Sequence, residues 1–123
     1  MDHKKTLVFG ASPNPARIAH QAALKLKERG HPLILLGLSE GFIGGVPIED
    51  PIKRPSFPDI HTITVYVNPD DQKAWEDYLL SLNPKRIIFN PGAENASLQS
   101  KAKNRGVETH YACTLVLLST GAY

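Results

Sequence analysis

The residues whose types are best suited to bind a ligand follow the first apolar run of the chain, Thr6–Phe9. Gly10 and Ser12 come just after this run, and Arg17 lies a few residues further on. A helix predicted to begin at Pro15 offers free N–H groups and the positive end of its dipole to an anion. Gly10 lets the backbone approach a diphosphate, Ser12 can donate its hydroxyl, and Arg17 can hold a phosphate with two hydrogen bonds. This turn therefore predicts a phosphate site, and a tight turn with a solvated Arg17 is the alternative.

The same turn matches the dinucleotide-binding fingerprint only in part. Gly10 supplies one glycine of the G-x-G-x-x-G pattern, and the other two are missing. In proteins that bind NAD, an acidic residue at the end of the second strand bonds the ribose. Here Leu36 ends the predicted second strand, and the first carboxylate after it is Glu40. The sequence therefore favours another phosphate-bearing nucleotide over a nicotinamide cofactor.

Three apolar runs of the chain end in an Asn-Pro pair that precedes a polar, helix-like stretch. Asn is a favoured N-cap residue, and Pro suits the first helical position because its missing N–H costs nothing there. A repeated strand-to-helix turn predicts a parallel sheet, with these turns at the carboxyl edge, where ligands of open α/β folds bind. The three pairs are Asn14–Pro15, Asn68–Pro69 and Asn90–Pro91. A fourth pair, Asn83–Pro84, lies between a predicted helix and a strand, and we interpret it as a helix terminator.

Short apolar runs predict four strands, a fifth strand is predicted after the helix that Gly106 ends, and helical periodicity predicts the helices between the strands. The predicted strands are Thr6–Phe9, Pro32–Leu36, Ile63–Val67, Arg86–Phe89 and Val107–Tyr111. Helices are predicted at residues 15–29, 94–105 and 114–118, and for the last of these a strand is the alternative. A further helix is predicted after Pro69, with one face formed by Trp75, Tyr78, Leu79 and Leu82. We expect an α/β, Rossmann-like three-layer sandwich with a five-stranded parallel sheet in the order 3-2-1-4-5.

The stretch from Gly37 to His61 interrupts this alternation and is rich in Gly and Pro. Apolar residues such as Phe42 and Ile48 would anchor it, so we predict a long, ordered loop. Loops of this length inside a compact domain are often functional. The Gly44–Gly45 pair would form either a lid over a ligand or a surface turn.

Length and composition limit the classes of protein to which the chain can belong. A chain of 123 residues with 41% hydrophobic and 21% charged residues is typical of one globular domain, which we place at residues 1–123. A net charge of +2 without a dense basic run argues against nucleic acid as a partner. The apolar stretches are too short to cross a membrane, and no signal peptide is recognisable. A single cysteine excludes an internal disulfide, and we expect a cytoplasmic location.

No group of residues in the sequence predicts catalysis or metal binding. Cys113, the only thiol, would need a neighbouring base, and His110 would point to the opposite face of a strand. We therefore interpret Cys113 as a packed structural residue. The five histidines have no spacing that suits a metal site, so we expect no metal.

Three segments of the chain, taken in order, resemble the small stand-alone CoA-binding domain proteins. The segments are Val8–Pro15, Asn90–Asn95 and Cys113–Gly121, and the resemblance extends over essentially the whole chain. These proteins are related to the N-terminal CoA-binding domain of the succinyl-CoA synthetase α subunit. The resemblance implies a Rossmann-like fold with CoA, or a related adenine nucleotide, across the carboxyl edge of the sheet. It implies phosphate contacts from Gly10, Ala11, Ser12, Asn14 and Arg17, nucleotide contacts near Leu36 and Gly37, and crevice walls from Asn68, Pro69, Asn90, Pro91 and Gly92.

The resemblance implies a protein that binds coenzyme A, acyl-CoA or a related small-molecule nucleotide, without ligase chemistry. The synthetase also uses a phosphohistidine region and a partner subunit, and we expect neither from these 123 residues. An enzyme that acts on a nucleotide or a CoA thioester is one alternative. A NAD-type nucleotide-binding protein or an assembly protein is another, and the sequence leaves a homo-oligomer open. A mixed disulfide between Cys113 and the CoA thiol is a separate hypothesis.

Overall fold

The first strand, β1 (Thr6–Phe9), lies in the interior of the sheet, where all four of its residues are buried. In this computed structural model, which describes residues 3–123, β1 pairs in parallel with β2 (Leu33–Leu36) and with β5 (Thr62–Val65). Val8 is the register partner of Leu35 on one side and of Thr64 on the other. Such strands need apolar residues on both faces, which explains why they read as continuous apolar runs.

Four further strands extend the sheet on both sides of this centre. β6 (Arg86–Phe89) and β7 (Glu108–Tyr111) continue it beyond β5, each parallel to its neighbour. β4 (Val46–Glu49) is parallel to β2, and β3 (Phe42–Ile43) is antiparallel to β4. The strand order is β3-β4-β2-β1-β5-β6-β7. All strands except β3 therefore end at one common carboxyl edge.

Helices cover both faces of the sheet and complete the three layers. α1 and α5 pack on one face, where Val8 and Leu118 belong to one buried cluster. α3 and α4 pack on the other face, where Leu7 and Leu98 belong to a second cluster. Successive side chains of a strand point to opposite faces, so neighbouring residues of β1 contribute to different clusters. The helices are α1 (Ile18–Glu28), α2 (Pro69–Gln72), α3 (Glu76–Ser81), α4 (Ala96–Asn104) and α5 (Thr114–Ser119).

The predicted α/β Rossmann-like class is confirmed, but the predicted number of strands is wrong. The sheet has seven strands rather than five, because the Gly- and Pro-rich stretch contributes β3 and β4. The order 3-2-1-4-5 also assigned Ile63–Val67 to the position beside β2. That segment forms β5, which pairs with β1, and β4 takes the position beside β2. With β4 counted as the third strand, the parallel strands follow the order 3-2-1-4-5-6.

The predicted long loop is in part a β-hairpin. Gly44 and Gly45 have φ angles of 56° and 82°, the positive values that a two-residue hairpin turn with the twist of its strands requires. Pro47 lies inside β4, where it cannot donate a hydrogen bond to a ladder. Accordingly, β4 pairs with β2 only through Ile48 and Glu49. The turn packs near Lys27 of α1 and does not line the cleft described below, so it is a surface turn rather than a lid.

The helices also depart from their predicted bounds. The helix predicted after Pro69 is interrupted by a 3-10 turn at Lys73–Trp75. The segment 114–119 is a helix, as preferred over a strand. Within residues 3–123, no helix is both long and apolar enough to span a lipid bilayer.

Candidate functional site

A cleft of about 880 Å³ opens at the carboxyl edge of the sheet, where β1, β2 and β5 end. The chain runs from β1 to one side of the sheet and returns to the other side at β5, and such a switch point is where open α/β sheets bind ligands. The predicted residues that line this cleft are Gly10, Ala11, Ser12, Arg17, Leu36, Gly37 and Asn68. The predicted residues outside its lining are Asn14, Pro69, Asn90, Pro91 and Gly92.

Two glycines allow the loops after β1, β2 and β5 to approach one another at the floor of the cleft. Gly10 has a φ of 98°, and a Cβ there would lie 3.0 Å from Cγ2 of Val67. A Cβ on Gly37 would lie only 2.1 Å from the Ala11 carbonyl oxygen. The N–H groups of Gly10 and Ala11 both donate to the Leu36 carbonyl at 2.9 Å. The first turn is therefore fixed to the end of β2 by backbone contacts.

The N-terminus of α1 presents free hydrogen-bond donors to the cleft. Arg17 occupies the N-cap position, its side chain makes no cap, and it is exposed along the cleft wall. The amides of Ile18 and Ala19 have no hydrogen-bond partner among residues 3–123. Both residues line the cleft, and no acidic residue lies in the first turn of α1. Free amides at a helix N-terminus beside a guanidinium form an environment that favours an anion.

A buried histidine that the sequence analysis did not single out supports this turn from inside. Nδ1 of His20 lies 2.9 Å from the carbonyl oxygen of Ser12, so that Nδ1 carries the proton and donates it. His20 is only 8% exposed. The Ser12 hydroxyl in turn accepts a hydrogen bond from the Asn14 amide at 3.1 Å. No sequence signal links residues 12 and 20, because the contact depends on how the turn folds back on α1.

Of the three Asn-Pro pairs, only the second caps a helix in the predicted way. Asn68 accepts a hydrogen bond from the Asp71 amide at 2.9 Å, with Pro69 at the start of α2, which confirms that prediction. Asn14 instead accepts from the Ala16 amide at 3.0 Å within a turn, and α1 starts later, at Ile18. The predicted cap at Asn14 is therefore wrong.

The third pair, Asn90–Pro91, does not cap a helix, so the predicted cap at Asn90 is wrong. Asn90 is 2% exposed, donates to the Thr64 hydroxyl at 2.7 Å and accepts from the Thr114 amide at 2.8 Å. Its side chain therefore joins β5 and β6 to α5 rather than capping a helix. Asn95 caps α4 instead, accepting from the Leu98 amide at 3.1 Å.

Aromatic and apolar side chains form the other wall of the cleft. Trp75 was predicted as a packing residue, and its ring does pack edge to face on Phe9, with 5.9 Å between the two ring centroids. It also lines the cleft, so sequence reasoning missed half of its role. On the side of β2, Leu38 lines the cleft with 82% of its surface exposed. The cleft thus combines an anion-binding end with apolar flanks.

Tyr66 and Asp71 carry the titratable oxygen groups of the described cleft lining. Burial raises the pKa of the Tyr66 hydroxyl to about 12, so Tyr66 stays protonated at neutral pH. The Asp71 carboxylate accepts a hydrogen bond from the Asn68 amide group at 2.8 Å. Cys113 is half-buried and is not part of the cleft lining. Among residues 3–123, no cluster of three or more His, Cys, Asp or Glu side chains is placed to hold a metal ion.

These features define a Rossmann-like fold with a nucleotide-sized cleft at its switch point. The chain belongs to the CoA binding domain family, whose profile matches residues 4–119. Membership of this family supports a CoA-binding role. A search among curated proteins finds no significant match.

Three solved structures show how widely this fold is shared. A protein described only as uncharacterized is 42% identical, with a TM-score of 0.95 and 100% of both chains covered. Cell-free ID.343 from Thermus thermophilus is 18% identical, with a TM-score of 0.81 over 98% of this chain and 91% of that one. A hypothetical protein from Pyrococcus horikoshii OT3 is 21% identical, with a TM-score of 0.80 over 96% and 83% of the two chains. The last two similarities support the fold alone.

Proposed function

We propose that the protein binds coenzyme A or an acyl-CoA in the cleft at the carboxyl edge of its sheet. The observation that carries this proposal is the pair of free amides at Ile18 and Ala19, beside the exposed Arg17. Donors in this arrangement lack an anionic acceptor, and the diphosphate of CoA supplies one. Family membership supports the choice of ligand class.

The diphosphate would lie over the β1–α1 turn. Gly10 and Ala11 form the floor there, the Ser12 hydroxyl donates from one side, and Arg17 closes the other side. Asn14 would act indirectly, because its side chain holds the turn at the Ala16 amide. The buried Asn90 would also act indirectly, through its hold on β5 and α5. We therefore assign the direct phosphate contacts to residues 10–12, 17, 18 and 19.

The end of β2 would receive the adenosine half of the ligand. Leu36, Gly37 and Leu38 offer apolar contact and close backbone approach. The lining there carries no carboxylate, unlike NAD sites, where an acidic residue bonds a free ribose hydroxyl. CoA has a phosphate on its ribose, which a carboxylate would repel. The absence of an acid from this part of the described lining is thus consistent with CoA.

The pantetheine arm would extend toward the opposite wall, along Val67, Asn68 and Trp75. Trp75 offers a broad apolar surface to this flexible arm. Since no hydrogen-bonded pair of nucleophile and base lies among the described lining residues, we propose that the protein binds its ligand without transforming it. A carrier or a sensor of CoA thioesters is the role that this proposal describes.

Calorimetry on an arginine variant tests the proposal. A charge-assisted hydrogen bond contributes about 1.5–3 kcal/mol, so Arg17→Ala should weaken CoA binding by roughly 10- to 100-fold. Adenosine lacks the diphosphate, and its weaker binding should not change. Arg105→Ala removes an exposed arginine far from the cleft lining and is the matched control. Equal losses for CoA and adenosine would refute the role of Arg17.

A further inference from the structure

A second cavity, of about 550 Å³, lies at the opposite, amino edge of the sheet. Its walls come from the residues that precede β1 and β5, the end of α3 and the start of β6. The parallel strands separate this cavity from the CoA-type cleft, since the five residue-to-residue steps from Lys5 to Gly10 span roughly 17 Å in extended form. We call it the amino-edge pocket; the residues that define it here are Lys5, Phe57, Ile60, His61, Leu82 and Lys85.

The rim of the amino-edge pocket carries more basic than acidic side chains. Lys5, Lys85, His3 and His61 line it, and Asp59 is the one carboxylate among its described lining residues. Neither lysine forms an ion pair with any residue in the range 3–123. Lys5 donates one hydrogen bond, to the Pro58 carbonyl at 2.8 Å, which holds the loop beside the pocket.

Two further cations stand behind this rim. Arg86 is only 7% exposed, and its Nε donates at 2.9 Å to the same Thr62 hydroxyl oxygen that lies 2.7 Å from Nδ1 of His61. Lys4 and Arg86 both donate to the main-chain oxygen of Tyr123, and neither has a side-chain carboxylate at ion-pair distance in the described chain. Burial, followed by the positive charges of Arg86, Lys4 and Lys85, lowers the pKa of His61. Basic side chains therefore outnumber acidic ones among the described residues at this edge, where Asp59 and Glu108 carry the opposing charge.

The floor of the pocket is apolar. Ile60 and Leu82 are buried at its base, and Phe57 lies beside them. Asn83, which belongs to the fourth Asn-Pro pair, adopts a φ of 52° after α3 and adds a side-chain amide to the wall of the pocket. Asparagine tolerates this left-handed conformation better than most residues. An apolar floor under a cationic rim suits a small molecule with one charged end.

We propose that the amino-edge pocket is a second ligand site, which binds a small phosphomonoester with its phosphate between Lys5, His61 and Lys85. Lys5, His61 and Lys85 come from three separate segments of the pocket lining, and compact ammonium groups suit a tetrahedral phosphate. Lysine binds phosphate as a point charge, and the described lining offers two lysines. The site does not depend on the ligand proposed for the cleft.

Residue-resolved NMR titration with inorganic phosphate tests this site on the intact chain. Saturable shifts of the His61 and Lys85 amides, with an affinity on the order of millimolar, are the expected result. Sodium chloride at the same ionic strength should not reproduce them, because screening alone does not saturate. Shifts of the Ser12 and Ala19 amides would report phosphate in the other cleft, so the two sites are distinguished within one experiment.

A charge variant completes the test. Lys85→Gln should weaken the response at His61 by about fivefold, the upper range for one exposed ion pair. Lys85 is exposed and its side chain makes no hydrogen bond in the described structure, so the variant should fold. Lys103→Gln, on α4 and outside the pocket, is the control and should leave the response unchanged. A flat titration at His61 and Lys85, equal shifts with chloride, or an unchanged response in Lys85→Gln would overturn the proposal.

Discussion

The replacement Gly37→Ala tests whether close contact between the loops after β1 and β2 shapes the cleft. A Cβ at this position would lie 2.1 Å from the Ala11 carbonyl oxygen and 3.2 Å from Cγ2 of Ile48. Relief of the first contact requires the turn to move by about 1 Å, since carbon and oxygen atoms in contact need more than 3 Å. The turn is held by the Gly10 and Ala11 amides on the Leu36 carbonyl, so this movement strains or breaks those bonds.

The expected cost follows from these contacts. Overpacking costs about 1–3 kcal/mol, and the loss of one backbone hydrogen bond adds about 1 kcal/mol. For a domain of this size, a total of about 2–4 kcal/mol corresponds to a decrease in melting temperature of roughly 6–16 °C. Because the same turn forms the proposed diphosphate site, CoA affinity should also fall.

Thermal unfolding with and without CoA is the assay for Gly37→Ala. Gly106→Ala is the matched control, because a Cβ there meets nothing within 4 Å and only its φ of 75° is unfavourable. That variant should lose about 1–2 kcal/mol through backbone strain and retain its affinity for CoA. A Gly37→Ala protein with wild-type melting temperature and wild-type affinity would refute the packing argument.

Three further predictions concern a buried carboxylate, a helix cap and the reactivity of the protein. Burial raises the pKa of Glu76, but hydrogen bonds from Asn95, Lys101 and Ser97 and the charge of Lys101 hold it below its usual 4.5. The stabilisation from this carboxylate is thus present above pH 4.5 and lost as the pH falls through the folded-state pKa. Glu76→Gln should therefore reduce the dependence of the melting temperature on pH between pH 6 and 3. An unchanged slope would contradict this prediction. Asn68→Ala should cost about 1 kcal/mol in denaturant unfolding through loss of the α2 cap, whereas Asn14→Ala, which caps no helix, should cost less. Acetyl-CoA incubated with the protein should release no thiol above the buffer rate in a colorimetric assay, and turnover would favour the enzyme alternative instead.

The parts of the fold that depend on local sequence could be predicted. Apolar runs identified β1, β2, β5 and β6, because buried parallel strands need apolar residues on both faces. The strand β7 was also predicted, although most of its residues are exposed. The cap at Asn68 was also predictable, because an N-cap side chain bonds an amide only three residues away in the chain. The strand β4 was not, because Pro47 and its short pairing hide it in a stretch that resembles a loop.

The parts that depend on distant contacts could not be predicted. Nothing within a few residues of Asn90 indicates that its amide will bond Thr64 and Thr114 in the interior. The contact of His20 with Ser12 likewise exists only once α1 has packed beside the turn. Residues that line the cleft through local turns were therefore easier to identify than the residues that hold those turns in place.

Calorimetric titration of the purified protein with CoA, with ATP and NAD as controls, tests the central claim most directly. The account predicts saturable binding of CoA that is tighter than binding of either control. Absence of CoA binding, or tighter binding of ATP or NAD, would contradict it.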